Sequence, residues 1–116
     1  LLGGQHPDVA QSLNSLAQLY DRQGRYEQAE PLYRQALELR RLLLGGRHPD
    51  VAQSLNSLAG LYELQERYTQ AEPLYRQALQ IGMQTLGEDH PSVGIGLNNL
   101  AGLYVRLQRY AEAELM

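Results

Sequence analysis

The sequence contains no cysteine, tryptophan, phenylalanine or lysine. Because cysteine is absent, the chain can form no disulfide, offers no thiolate ligand for zinc and has no cysteine nucleophile. The eight tyrosines are its only aromatic residues. Each tyrosine ring that becomes buried therefore brings a hydroxyl that must find water or a hydrogen-bond partner.

A basic patch is also missing. The ten cationic residues are all arginine, and the formal net charge is −3. This charge gives no electrostatic footprint for nucleic acid or for an anionic membrane surface. No apolar run approaches the roughly 18 residues that a membrane span requires, and the start of the chain shows no signal-peptide pattern. The composition predicts a soluble, cytoplasmic protein without nucleic-acid or membrane partners.

What the sequence has instead is an internal repeat. The segment from His6 to Ala17 (HPDVAQSLNSLA) recurs unchanged from His48 to Ala59, a step of 42 residues. It returns in altered form from His90 as HPSVGIGLNNLA. The stretch from Gln28 to Leu37 repeats with the same step at residues 70–79. This regularity predicts stacked copies of one supersecondary unit.

Each unit is predicted to begin with an amphipathic helix. Pro7 suits the first turn of a helix, and Asp8 places a carboxylate near the positive helix end. The apolar residues that follow are spaced by three and four, which is typical of a helix with one buried side: Val9, Leu13, Leu16, Ala17 and Tyr20. We expect Gly24 to close this helix as a left-handed cap, with Glu66 and Gln108 at the same turn of the later units.

A second helix is predicted over residues 26–44, antiparallel to the first and ended by Gly45-Gly46, with Gly87 ending its counterpart. Its buried side is expected to comprise Tyr26, Ala29, Leu32, Tyr33, Ala36, Leu37 and Leu43.

We expect one domain over residues 1–116, divided into repeat units 5–46, 47–88 and 89–116. Residues 1–4 match the end of a second helix and predict the tail of an earlier unit, and a start at Leu1 fits an excised segment. The last unit stops just inside its own second helix. The first helix of that unit should therefore expose apolar surface, a candidate site of self-association through uncapped ends or helix swapping.

The pattern from Leu86 to Tyr104 (LGEDHPSVGIGLNNLAGLY), followed by Arg109-Tyr110 and a later Ala-Glu, resembles the 42-residue tetratricopeptide repeat (TPR) of kinesin light chains. The resemblance covers the whole chain. It implies an all-α fold, a right-handed superhelix or solenoid of antiparallel helix pairs. It also implies that the first helices line a concave groove that binds peptide segments of partner proteins.

The polar residues of the first helix lie opposite its apolar stripe on a helical wheel, where a merely solvated face is the alternative to a binding surface. Asn14, Asn56 and Asn98 recur in register at roughly 10 Å, the spacing of packed helices. Side-chain amides at this spacing can bind the backbone of an extended peptide, and the resemblance points to the same asparagines. The predicted groove comprises Gln11, Asn14, Ser15, Gln18, Asp21, Arg22, Gln53, Asn56, Ser57, Gly60, Glu63, Asn98, Asn99, Gly102 and Arg106.

Differences between the units indicate where specificity would lie. Gln18 is replaced by Gly60 and Gly102, which opens room on the groove floor. The absence of lysine argues against the lysine-based carboxylate clamp of related TPR domains, because arginine is not its equivalent. Gly94 and Gly96 weaken the first helix of the third unit, since each interior glycine costs up to about 1 kcal/mol relative to alanine. We expect this helix to be the least stable of the chain.

Catalytic chemistry is not indicated. His6, His48 and His90 occur one per unit and cannot converge on one metal ion, so a role in the turns is favoured. Glu30 and Glu72 are likewise a full unit apart, too distant to act on one bond. We expect no catalytic residue, metal or cofactor. Two functions remain: a scaffold that binds a protein or peptide partner, and a structural module that assembles with copies of itself.

Overall fold

Five consecutive helices make up the described part of the chain. The computed structural model describes the backbone of residues 7–114 and the side chains of residues 8–109. The helices are α1 (Pro7–Arg22), α2 (Tyr26–Leu44), α3 (Pro49–Leu64), α4 (Tyr68–Leu86) and α5 (Pro91–Glu114), with no strand among the described residues. Each helix packs against its neighbours in the chain, α2 against α1 and α3, and α4 against α3 and α5. The predicted all-α repeat solenoid is confirmed.

The His-Pro pairs start the helices. Nδ1 of His48 accepts a hydrogen bond of 3.0 Å from the backbone N–H of Asp50, and Nδ1 of His90 accepts one of 3.1 Å from Ser92. Each imidazole thus satisfies an N–H that has no partner inside its helix. The predicted turn role is confirmed for these two histidines, while His6 lies outside the described residues.

The turns within the first two units are alike. Gly24 has a φ of 75° and Glu66 a φ of 60°, so both lie in the left-handed region. In both turns a backbone hydrogen bond of 2.8 Å closes the loop, from Arg25 to Tyr20 and from Arg67 to Tyr62. The predicted cap at Gly24 is confirmed, as are the ends of α2 and α4 at glycines 45 and 87, where φ is 87° and 90°.

The predicted turn at Gln108 is not formed. Helix α5 continues through Gln108 to Glu114, so within the described residues the third unit has no separate second helix. A residue other than glycine adopts left-handed backbone angles only at a free-energy cost. At Glu66 this cost is offset because the turn allows α4 to pack against α3. Among the described residues no helix follows α5 to pack against it, and helical φ is therefore preferred at Gln108.

The core between the paired helices is built largely from alanine and leucine. The small residues Ala17, Ala29, Ala36, Ala59, Ala71 and Ala78 are all at most 4% exposed. Their size allows helices to approach closely, and the larger side chains Leu55 and Leu61 fill the space beside them.

Two leucines predicted to be buried are exposed. Leu16 is 42% exposed, whereas its counterpart Leu58 is 2% exposed. The difference arises because α2 packs against α3, while no described helix precedes α1. Leu43 is 36% exposed, whereas Arg40, one turn earlier in α2, is 4% exposed.

A cluster around Tyr62 joins the first unit to the second. The Tyr62 hydroxyl donates to Oε2 of Glu30 at 3.0 Å, and Nη1 of Arg67 donates to Oε1 of the same carboxylate at 3.1 Å. Arg34 donates to the Tyr62 hydroxyl, and the guanidinium of Arg67 lies 4.3 Å from the centre of the Tyr62 ring. Burial alone would raise the pKa of Glu30, but the hydrogen bonds from Arg34, Tyr62 and Arg67 outweigh it and hold the pKa below its ordinary value.

Helix α5 exposes apolar side chains, as predicted for the third unit. Leu97 is 53% exposed, Tyr104 43% and Val105 49%, although Leu103 on the opposite side is fully buried. This surface has no described helix over it.

Candidate functional site

The predicted groove lies along α1, α3 and α5, and its residues differ widely in exposure. Gln11, Ser15, Arg22, Gln53, Asn98, Gly102 and Arg106 are exposed, and Gln18, Asp21, Asn56, Ser57, Gly60, Glu63 and Asn99 are half-buried. Only Asn14 is buried. The three helices therefore present a polar surface that a partner can reach at most of the predicted positions.

The three asparagines of the predicted groove, Asn14, Asn56 and Asn98, differ in their exposure to solvent. Asn14 is 1% exposed, so its predicted position on the open surface is wrong. Asn56 is half-buried and Asn98 is exposed. The Oδ1 atoms of Asn14 and Asn56 are buried and accept no hydrogen bond. An unpaired buried acceptor costs about 1–3 kcal/mol, which makes a donor at these positions favourable.

The acidic groove residues hold tyrosines of the second helices. Asp21 accepts a hydrogen bond from the Tyr33 hydroxyl at 3.2 Å, and Glu63 accepts one from Tyr75 at 2.8 Å. Glu63 also forms an ion pair with Arg106 of α5. Burial, together with the neighbouring carboxylate, raises the pKa of both tyrosines above its ordinary value. These carboxylates therefore already stabilise the two helix pairs, and Arg22 lies exposed at the end of α1.

Arg40 is the main feature that the sequence did not indicate. Although it is charged, it is only 4% exposed and lies on the buried side of α2 with Ala36 and Leu37. Its Nη2 donates to Oε1 of Gln11 on α1 at 2.8 Å. Its Nη1 donates to Oε1 of Gln53 at 2.9 Å and to Oγ of Ser54 at 3.1 Å, both on α3. The guanidinium also binds the backbone carbonyl of Asp50 at 3.1 Å, so one buried cation bridges two predicted groove helices through neutral acceptors.

The counterpart of Arg40 in the second unit is Gly82, and the space is open there. A cavity of about 560 Å³ lies between α3, α4 and α5. Asp50, Gln53, Asn56 and Ser57 line it from α3, and the remaining lining residues are Pro49, Ala52, Ala78, Leu79, Gly82, Leu86, Ser92, Val93, Ile95 and Gly96. Three residues of the predicted groove thus meet at one concave site. A comparison of positions 42 residues apart could have found it, because Ala36 and Leu37 recur as Ala78 and Leu79 whereas Arg40 does not recur.

Other kinds of site find no support in the described range. No group of three or more histidine, aspartate or glutamate side chains there could hold a metal ion. No helix in the same range is both long and apolar enough to cross a membrane.

Comparisons with known proteins agree with this architecture. The tetratricopeptide repeat family model matches residues 1–42, 22–81 and 50–116. BtubC (BKLC) from P. vanneervenii has a similar crystal structure, with a TM-score of 0.80 and 32% sequence identity over 88% of this chain. A kinesin-light-chain-like protein of Podosopora anserina with nearly identical TPR-like repeats gives a TM-score of 0.79 and 28% identity over 94% of this chain.

The chain spans 41% of the length of the first of these proteins and 52% of the second. No curated protein sequence matches it. Tetratricopeptide repeats are in general non-enzymatic scaffold modules for protein–protein interaction. With its family model matched along the chain and its fold shared with kinesin light chain repeats, this chain belongs to the tetratricopeptide repeat family in its kinesin light chain-like form.

Proposed function

We propose that this chain is a protein–protein interaction scaffold that binds an extended peptide segment of a partner along α1, α3 and α5. The observation that carries the proposal is the concave site at Asn56, where polar groove residues border an open cavity. Asn56 is half-buried and lines the cavity, so its side-chain amide can form hydrogen bonds with the backbone of a bound peptide. Asn98, exposed on α5, supplies a second amide one unit further along.

Both asparagines can act without reference to the peptide's sequence. A side-chain amide offers an acceptor oxygen and two donor hydrogens, which match the carbonyl and N–H of an extended backbone. The neighbouring Gln53 and Ser57 add donors and acceptors on the same helix face. Backbone recognition of this kind gives affinity, and the side chains of the peptide then provide specificity.

The test uses peptides selected from a random display library against the chain, with binding measured by fluorescence anisotropy. Replacing Asn56 and Asn98 by Ala together should weaken binding by roughly 2 kcal/mol, since each neutral hydrogen bond contributes about 1 kcal/mol. Gln77→Ala on α4 is the matched control, because Gln77 is exposed outside the groove, and it should leave binding unchanged. Helicity should be the same in all variants. Undiminished binding by the double variant would refute the proposal.

The competing function is self-assembly, and the apolar surface of α5 favours it. Leu97, Tyr104 and Val105 are each more than 40% exposed along this one helix. Light scattering distinguishes the two functions when a polar capping helix is added after residue 116. Association that persists in the capped chain supports self-assembly, and a monomer that still binds the selected peptides supports the scaffold.

A further inference from the structure

The place filled by Arg40 in the first unit is empty in the second. In the first unit the guanidinium lies between α1 and α3, held by Gln11 on one side and by Gln53 and Ser54 on the other. One unit later, Gly82 offers no side chain at the corresponding point of α4, and the cavity of about 560 Å³ occupies that region. The first unit therefore shows that one long side chain fits the space that the second unit leaves open.

The residues that accept hydrogen bonds from Arg40 in the first unit are also replaced in the second unit. Gln53 and Ser54, which bind Arg40, correspond to Ile95 and Gly96 on α5. Leaving polar acceptors in place without their donor would be unfavourable, and the second unit avoids this by having an apolar and a small residue there. The cavity wall is consequently apolar, with Leu79 and Leu86 on α4 facing Val93 and Ile95 on α5.

Most of the polar groups lie on the α3 side of the cavity, and Ser92 is the polar lining residue on α5. Asn56 carries the unpaired buried Oδ1, and Gln53 is already fixed by its bond to Arg40 at 2.9 Å. Asp50 is the one titratable residue among those that line the cavity, and it is exposed. An apolar wall opposite an amide edge suits a residue whose side chain is apolar and whose backbone needs hydrogen bonds.

We propose that this cavity binds one large apolar side chain, of leucine or similar size, from the peptide segment held in the groove, and so determines partner specificity. The proposal rests on the proposed function and names its partner chemistry. The side chain would take the place of Arg40's counterpart, while Asn56 binds the adjacent peptide backbone. Arginine from a partner is the competing occupant, because Asp50 is near, but the bridging acceptors of Arg40 are missing from α5.

The experiment compares three capped amino acids: N-acetyl-leucinamide, N-acetyl-argininamide and N-acetylglycinamide. Binding to the full chain is followed by NMR through the methyl groups of Val93 and Ile95. The leucine derivative should bind about 10- to 100-fold more tightly than the glycine derivative, the ratio expected for burying one such side chain. Tighter binding of the arginine derivative, or no preference for leucine, overturns the proposal.

Gly82→Arg tests the site itself, since it restores the residue that fills the first unit. A Cβ at Gly82 would lie 3.8 Å from Cγ2 of Val93, an ordinary contact, so the backbone accommodates a Cβ there. The variant should lose the leucine preference. Gly94→Arg is the matched control, because Gly94 is exposed on α5 with nothing within 4 Å of an added Cβ. The control should keep the preference, and if Gly82→Arg also keeps it the cavity is not the site.

Ile95→Ser provides a second variant whose folding is safe, because Ile95 is 60% exposed. It should weaken leucinamide binding several-fold and leave glycinamide binding unchanged; an unchanged leucinamide affinity contradicts the proposal. The outcomes separate the two levels of inference. Loss of leucine preference with intact binding of the library peptides refutes the pocket alone. Undiminished binding of the library peptides by the double variant at Asn56 and Asn98, with leucinamide still bound at Ile95, refutes the peptide groove alone.

Discussion

The hydroxyl of Tyr62 donates a hydrogen bond of 3.0 Å to the carboxylate of Glu30 across the boundary between the first and second units. The same relationship recurs one unit later, where Tyr104 donates to Glu72 at 2.8 Å. Tyr62 is 3% exposed and Tyr104 is 43% exposed, so the two bonds are alike in geometry and different in environment. Comparing the two bonds therefore measures how burial of the hydroxyl changes the stability that one hydrogen bond between units contributes.

Tyr62→Phe should destabilise the chain by about 1.5–3 kcal/mol, the range for a hydrogen bond to a charged group, since the ring remains and only the hydroxyl is lost. Chemical denaturation followed by circular dichroism measures the change. Tyr104→Phe removes the exposed counterpart and should cost less than about 1 kcal/mol. Equal losses in the two variants would show that burial of the hydroxyl does not decide its contribution.

The stability of the chain should fall in acid through Glu30. Hydrogen bonds hold the pKa of Glu30 in the folded chain below its ordinary value. Its contribution is therefore fully present above the unfolded pKa of about 4.3 and is lost as the pH falls through the lower folded pKa. Glu30→Gln should flatten the pH dependence of the unfolding free energy below pH 4.5 by up to about 1 kcal/mol, since the carboxylate is partly exposed. Glu38→Gln, whose side chain is 74% exposed, should leave the dependence as it is.

Glu66 adopts a left-handed backbone conformation with a φ of 60°. Replacing Glu66 by Gly should stabilise the chain by about 0.5–1 kcal/mol, because glycine enters this region without steric cost. The reverse change, Gly24→Ala at a φ of 75°, should destabilise by a similar amount. Thermal unfolding of both variants checks the pair, and shifts of the same sign would contradict the assignment.

Arg40→Ala should destabilise the chain by about 1–3 kcal/mol, because it removes the bridge between α1 and α3 and leaves buried acceptors such as Ser54 without a donor. The neighbouring Arg41 makes an exposed ion pair of 3.4 Å with Glu38 and serves as the control. Arg41→Ala should change stability by less than about 0.5 kcal/mol. Urea unfolding at constant salt measures both variants; comparable losses would mean that charge, and not the buried bridge, is what matters.

Helix α5 should be the least protected helix in hydrogen exchange. It contains Gly94 and Gly96, and its apolar side chains are partly uncovered. Gly94→Ala, with no atom within 4 Å of the added Cβ, should raise protection by up to about 1 kcal/mol. Gly96→Ala should gain less, since its Cβ would lie 3.2 Å from Cδ1 of Leu79. Protection of α5 equal to that of α1 would refute this prediction.

The sequence was sufficient for α1 to α4 because the same apolar spacing occurs in successive units and each copy supports the others, whereas the turn expected at Gln108 is not formed. It also indicated why His48 and Gly24 occupy their turns, since these are local requirements of the backbone. Burial that depends on a distant residue could not be obtained in this way. Asn14 and Asn56 lie in identical twelve-residue segments, from residues 6 and 48, yet only Asn14 is fully buried.

Arg40 illustrates the same limit. An arginine in an otherwise apolar helix stripe is normally exposed, because a buried cation needs hydrogen-bond acceptors. Its acceptors come from α1 and α3, and they meet only when three helices have packed. The unequal burial of the three asparagines and the cavity at Gly82 also depend on more than one helix, so a helical wheel of one helix did not predict them.

Positions 40 and 82 are equivalent in the repeat, and each unit carries its own residue there, arginine in the first and glycine in the second. Arg40 fills the space between neighbouring units from inside the solenoid, whereas Gly82 leaves the equivalent space open. The hydrogen bonds from Tyr62 to Glu30 and from Tyr104 to Glu72 are formed in both cases. An array of such units can therefore hold filled and open spaces in a defined order along its length. Substitutions at this position and at the residues that face it would change which of these spaces are filled, while the helices around them stayed the same.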